Sequence, residues 1–309
     1  MATIFWTGKL TPIVKIMVNF NSLLAFLGGK TRNTSAMKHR IKLGYSDTIS
    51  EHVQNYDTVG LMHYHSIANV LLDGISVMDK TVLDVGCGTG AISFCTLERG
   101  AVKILGTDLS RTMVMACQKK VADIGLDDKL MEFKQCDAEN LTIEDNSFDV
   151  ILSSAVLGFL PNQLKAVKEM VRVVKPGGIV AIAVHGPRHY WEACNAALKS
   201  VGKRHMIGYR IEFWPRKETY VKKLLVKAGL QNLRTGHYVR QEEMEDAGKV
   251  FDFFAGSSGM WWYSKFPPHK RARDVARMRE YFKRKNVNVI TSDIVLAYGR
   301  KPQFATEKA

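Results

Sequence analysis

The stretch Val82–Gly90, VLDVGCGTG, restricts the architecture more than any other part of the chain. An apolar run that breaks into G-x-G-x-G and then into a helical pattern is a strand, a tight turn and a helix. Such a unit brings backbone N–H groups and a helix N-terminus close to a ligand, and it belongs to sheets built from βαβ repeats. The rhythm continues downstream. Strands are expected at 81–85, 103–107, 131–135, 148–153, 179–184 and 293–299, with amphipathic stretches between them. The fifth, IVAIAV, is apolar throughout, as expected of a strand covered on both faces.

The intervening helices have readable ends. Ser110 caps one whose apolar stripe is Met113, Cys117, Val121 and Ile124. Leu164, Val167, Val171 and Val174 line another that stops at Pro176-Gly177-Gly178, and a third starts near Pro215, buries Val221, Leu224, Leu225 and Ala228, and ends at Gly229. Two connections, 186–213 and 241–288, are longer than ordinary α/β loops and read as functional insertions. With 309 residues the chain accommodates one large α/β domain, at 47–301, between an extension at 1–46 and a tail at 302–309.

The first 46 residues hold seven Lys or Arg and no acid. Ile13, Ile16, Met17, Phe20, Leu24 and Leu27 recur there at helical spacing, while Lys15, Asn19 and Asn21 interrupt the apolar run and disfavour a membrane-spanning helix. Four readings stand: an organellar leader, a surface-lying membrane anchor, an upstream extension with the working start at Met37, or a helix docked on the fold. The five cysteines are odd in number and form no C-x-x-C pair, which fits reduced thiols and an intracellular, by default cytoplasmic, setting. A net charge of +14 permits an anionic partner without specifying one.

Three acids sharpen the glycine loop. Asp84 stands at the carboxyl end of the first strand, where a pyrophosphate would be repelled and an ammonium group held, which disfavours a dinucleotide oxidoreductase. Asp108 ends the next strand in ILGTDLS, placed to accept from both hydroxyls of a ribose. Asp137 follows the third strand in QCDAENL, placed to accept from an exocyclic amine such as adenine N6. Together they describe an adenosine with a cationic amino-acid tail.

The ordered set DVGCGTG, TDLS, CDAENL, FDVILSSAVL and VKPGG resembles the class I S-adenosylmethionine-dependent methyltransferases, and the whole pattern is similar to their ubiquinone/menaquinone and sterol C-methyltransferase group. The resemblance implies an α/β, Rossmann-like fold. It has a seven-stranded, mostly parallel, doubly wound sheet with one antiparallel strand, to which helical and aromatic insertions are added. It implies S-adenosyl-L-methionine as cofactor and S-adenosyl-L-homocysteine as product. Asp84 and the backbone at Gly86, Cys87, Gly88 and Gly90 would surround the methionine part, Asp108 with Leu109 the ribose, and Asp137 with Ala138 the adenine. Ser153 would face the methionine part or the acceptor, and Tyr56 would close over the cofactor.

Methyl transfer from a sulfonium needs alignment and exclusion of water, and no metal. A base is needed only where the acceptor must lose a proton. Candidates are His63, His65 and, first, His185 at the end of the fifth strand, as base or substrate contact; its alternative is a hydrogen-bonded strand-end histidine. His63 and His65, two apart on a helix, do not share a face. SSAVLGF after the fourth strand lacks the Pro-Pro-aromatic clamp of amino-group methylation, so a small acceptor is favoured: quinone-, lipid- or sterol-like.

The aromatics of FDFFAGSSGMWWYSKF, among them Phe253, Phe254, Trp261, Trp262 and Tyr263, fit either a substrate lid or a packed subdomain core. The stretch 265–285, with nine basic residues against two acids, supports an alternative RNA methyltransferase or a solvated helix face. A peripheral membrane contact and a non-catalytic cofactor-binding protein complete the set of readings; oligomeric state is not readable.

Overall fold

The structure is a computed structural model that describes residues 38, 61–201, 217–257 and 268–303. In chain order its elements are α1 (Leu61–Leu72), β1 (Thr81–Val85), α2 (Ala91–Glu98), β2 (Lys103–Asp108), α3 (Arg111–Asp123), β3 (Met131–Gln135), β4 (Phe148–Ser154), α4 (Gln163–Val173) and β5 (Val174–His185). There follow α5 (Trp191–Val201), α6 (Glu218–Lys227), β6 (Gln231–Glu243), α7 (Ala247–Ser257), α8 (Pro268–Arg284) and β7 (Val289–Arg300). The helical leader expected around 13–27 lies outside the described residues. Among the described residues no helix is long and apolar enough to cross a membrane.

One seven-stranded sheet runs β3-β2-β1-β4-β5-β7-β6. The first five strands are parallel, and β7 is antiparallel to both β5 and β6. Successive side chains leave a strand on opposite faces. Leu83, Ile151 and Ile182 therefore enter one core with Val167 and Met170 of α4 and Leu224 and Leu225 of α6. Val82, Leu152 and Ala181 enter the other with Ile67 and Leu71 of α1, Cys95 of α2 and Cys117 of α3. Each large apolar side chain buried in this way contributes about 1.5–3 kcal/mol. Strand order reverses between β1 and β4, so a crevice opens beyond their carboxyl ends.

Three local readings change. Ser110 caps α3 as expected, its Oγ accepting from Met113 N–H, and Met113, Cys117 and Val121 are buried. Ile124 is 63% exposed because α3 ends before it. Val174 is not helical: it turns extended and opens β5 opposite Phe148, five residues earlier than the apolar run indicates. The 13-residue β6 was not visible in sequence, since as the outer strand it keeps most side chains exposed and has neither alternation nor an apolar run.

The long connections hold helices. α5, α7 and α8 make a third core in which Phe251 meets Phe282 edge-on at 5.3 Å and Tyr190 meets Phe253 edge-on at 5.7 Å. Phe253 and Phe254 are buried in it, so the lid expectation for these two gives way to a packed subdomain. Trp261, Trp262 and Tyr263 lie outside the described residues.

Candidate active site

A cleft at the reversal point is lined by the glycine loop, by the ends of β2 and β3, by the turn after β4 and by His185. The loop is tied to β2: the N–H groups of Gly86 and Cys87 both donate to Thr107 O, at 2.7 and 2.9 Å. Gly86 has φ 77°, and a Cβ there would overlap the Val156 side chain, so the residue must be glycine for the wall after β4 to close on the loop. Gly90 does not line the cleft. It is the left-handed residue before α2, and Thr89 takes its place at the wall.

Asp84 is 1% exposed and accepts from Ser93 Oγ at 2.7 Å. Burial pushes its carboxyl up to about 7, the Ser93 hydroxyl pulls it down, and the charge of Asp108 pushes it up further. Among the described residues no basic side chain pairs with it, so its negative charge has no protein cation to offset it. Asp108 Oδ1 accepts from Ser110 N–H at 2.8 Å and Oδ2 from Gly88 N–H at 3.0 Å. Burial raises Asp108, against the backbone N–H groups that favour its ionised form. The Gly88 N–H is thus spent on Asp108 and not on the methionine part. Cys87 faces the cleft; its hydrogen bond to Cys117 and its burial push the thiol well above its ordinary range, which keeps it unreactive.

Asp137 closes the far end, with Ala138 and Leu109 beside it. Its Oδ1 accepts from Glu139 N–H at 2.9 Å, and its Oδ2 is 2.5 Å from Lys38 Nζ. The opposite wall is apolar, formed by Val156, Phe159, Leu160 and Pro161, with Met113 and Tyr64 nearby. His185 lines this end and stacks on His189 with centroids 4.0 Å apart. Its Nε2 is enclosed without a hydrogen-bond partner among the described residues, so the hydrogen-bonded strand-end alternative is not seen for that atom. Burial lowers its ring to about 4, against the pull of Asp293, and the imidazole is neutral at physiological pH.

Ser153 is not at the wall. β4 runs one residue further than the apolar pattern indicates, so Ser153 turns inward, its hydroxyl donating to Val85 O at 3.0 Å, and Ser154 faces the cleft. His65 Nδ1 lies 3.7 Å from Cys95 Sγ, away from the cleft. Tyr56 and the His63 side chain lie outside the described residues. Sequence reasoning missed Lys38, Tyr64, Glu139 and Ser154. Only Ser154 had a signal, through strand alternation counted one residue further.

Residues 83–182, which carry the loop and all three acids, match the methyltransferase domain family. This segment carries a methyltransferase domain, and proteins similar to it are named methyltransferases. It is 32% identical over 151 residues to phthiotriol/phenolphthiotriol dimycocerosates methyltransferase 1 of Mycobacterium ulcerans, a match covering 47% of this chain and 52% of that protein. It is 27% identical over 181 residues to the biotin biosynthesis bifunctional protein BioHC of Teredinibacter turnerae, covering 56% of this chain and 31% of the relative. The chain thus spans about a third to a half of these relatives. In fold it is similar to the YcgJ protein of Bacillus, with a TM-score of 0.55 at 15% identity over 79% of this chain and 100% of that one.

The residues present suit the family's cofactor. Asp84 is a buried acid with no cation paired to it among the described residues, and S-adenosylmethionine carries positive charge at its amino-acid end. The glycine loop leaves room for close backbone approach, and Asp108 and Asp137 stand at successive strand ends along one cleft.

Proposed function

We propose that this chain transfers a methyl group from S-adenosylmethionine to a small, apolar or aromatic acceptor such as a quinone-, lipid- or sterol-like molecule. The observation that carries the proposal is the juxtaposition, in one cleft, of three acids on successive strand ends with an apolar wall and His185. When bound, the cofactor supplies a methyl on positively charged sulfur. The chain's residues then do the rest. Asp84 holds the cationic tail, Asp108 the ribose and Asp137 the adenine. Val156, Phe159, Leu160 and Pro161 exclude water and hold an apolar acceptor in line, an alignment that supplies roughly 7–11 kcal/mol of barrier lowering. The neutral ring of His185 accepts the acceptor's proton, or a hydrogen bond from it, where the nucleophile is protic.

The relative from M. ulcerans is named for methylation of phthiotriol and phenolphthiotriol dimycocerosates, which agrees with a small-molecule acceptor. The test is incubation of the protein with isotope-labelled methyl donor and small-molecule extracts, followed by mass spectrometry. A labelled apolar product supports the reading; cofactor binding with no transfer to any extract favours a non-catalytic binding protein.

A second reading rests on α8, where Lys270, Arg273, Arg277, Lys283 and Arg284 are exposed. This face suits RNA or an anionic membrane surface. Affinity for single-stranded RNA that falls steeply with salt, together with transfer of label to RNA, would displace the small acceptor.

A further inference from the structure

Lys38 and Asp137 are 99 residues apart in sequence, and nothing in the ordered motif set points from one to the other. In the structure the Lys38 ammonium lies 2.5 Å from Asp137 Oδ2 and 2.9 Å from Glu139 Oε2. Its side chain is 20% exposed and lines the cleft. Glu139 is only 3% exposed in its side chain, and its other oxygen accepts from Asn162 N–H at 2.6 Å, just before α4. A single ammonium therefore joins Asp137 to Glu139, and Glu139 in turn ties the segment after β3 to the loop that brings Leu160 and Pro161 to the cleft. Without it, two carboxylates would face one another at the end of the cleft, one of them shut away from water, an arrangement that costs much more than an exposed pair.

Resting on the cofactor reading above, we infer that Lys38 is a positioning residue that orients Asp137 toward the adenosine half of the cofactor. Lys38 Nζ and Glu139 N–H each hold one oxygen of Asp137, which locks the carboxylate in one orientation. A carboxylate offers about four lone-pair sites, so each oxygen keeps one for the exocyclic amine of adenine. The cation also cancels charge that would otherwise accumulate against a neutral base. Burial opposes the ammonium, but the hydrogen bonds it donates to Asp137 and Glu139 outweigh that and raise its pKa, so Lys38 stays charged throughout the physiological range. Lys38 thus positions the Asp137 carboxylate from outside the sheet.

The test uses the full chain and calorimetric titration with two ligands, S-adenosylhomocysteine and adenosine, the second lacking the amino-acid tail. Lys38→Met is expected to raise Kd about tenfold or more for both ligands, the scale of losing a charge-assisted hydrogen bond. Asp84→Asn should raise it for S-adenosylhomocysteine alone, and Lys38→Arg should recover most of the affinity. Because Lys38→Met leaves Glu139 unpaired and endangers folding, the double variant Lys38→Met/Glu139→Gln removes both charges. It should recover the melting temperature while adenosine affinity stays low. Wild-type affinity in Lys38→Met, or full recovery of affinity in the double variant, would make Lys38 a structural neutraliser and overturn the inference. If the wild-type chain binds neither ligand, the cofactor reading itself fails and takes the role of Lys38 with it, an outcome separate from a failure confined to the variants.

Discussion

The cofactor's affinity should depend on pH through Asp84, by an amount that follows from its burial. The free carboxyl titrates at about 7, against an ordinary 3.8, because burial disfavours its charge and Asp108 adds repulsion, with the Ser93 hydroxyl only partly offsetting both. A ligand with a positive tail binds the ionised form. With a midpoint near 7, roughly one molecule in eleven is ionised at pH 6, so affinity there is about tenfold below its high-pH plateau, and binding releases about 0.9 proton at pH 6 and about 0.5 at pH 7. Asp108, also raised by burial, adds in the same direction. The ligand's own amino group titrates near 8, so a window of about pH 5.5 to 7.5 isolates the protein's contribution. Calorimetry in buffers of different ionisation enthalpy counts the protons. Asp84→Asn should remove this component of the pH dependence and weaken binding by about 1.5–3 kcal/mol, the range for a hydrogen bond to a charged group. The sign for stability is opposite: the folded free protein keeps a proton that the unfolded chain gives up near 3.8. That contribution to stability is present at low pH and is lost as pH rises through about 7. A flat affinity profile, or wild-type affinity in Asp84→Asn, would refute the argument.

Three further outcomes are expected. His185→Gln should lower turnover with a protic acceptor while leaving S-adenosylhomocysteine affinity unchanged. Because its folded-state pKa is depressed from 6.5 to about 4, His185 should limit turnover only near pH 4, and its contribution to stability should be lost as pH falls from about 6.5 to 4, read by thermal melting against pH. Phe254→Ala, in the core of α5, α7 and α8, should cost about 3–5 kcal/mol in denaturant unfolding without a change in cofactor Kd; an equal loss of affinity would place that side chain at the cofactor site. Removal of residues 1–36, which keeps Lys38, should leave cofactor titrations unchanged.

Much of the site was legible because its parts are local. Asp84, Asp108 and Asp137 each lie at or just past a strand's carboxyl end within a motif of a few residues, and parallel strands in one sheet bring such ends to one edge whatever lies between them. The spacing of apolar residues likewise announced α3, α4 and α6. Ser153 and Ser154 show where such reading runs out: which of two adjacent hydroxyls reaches the cleft depends on where β4 stops, and that is set by its pairing with β5 as far as Ser154. The aromatic stretch could be lid or core from composition alone. Phe253 and Phe254 became core because Tyr190, just before α5, and Phe282 of α8 cover them. β6 left no sequence signal because an edge strand need not hide either face.

The chain's own order of residues determined the class of fold and the three strand-end acids proposed to face a cationic nucleoside, since strand periodicity, glycine turns and strand-end carboxylates act over short range. Only the tertiary structure decided that Lys38 bridges Asp137 and Glu139, that Asp84 loses its solvent and rises to about 7, and that His185 keeps an unpartnered nitrogen. Those properties come from burial and from contacts between distant segments, which depend on how the chain packs and leave no local pattern to read.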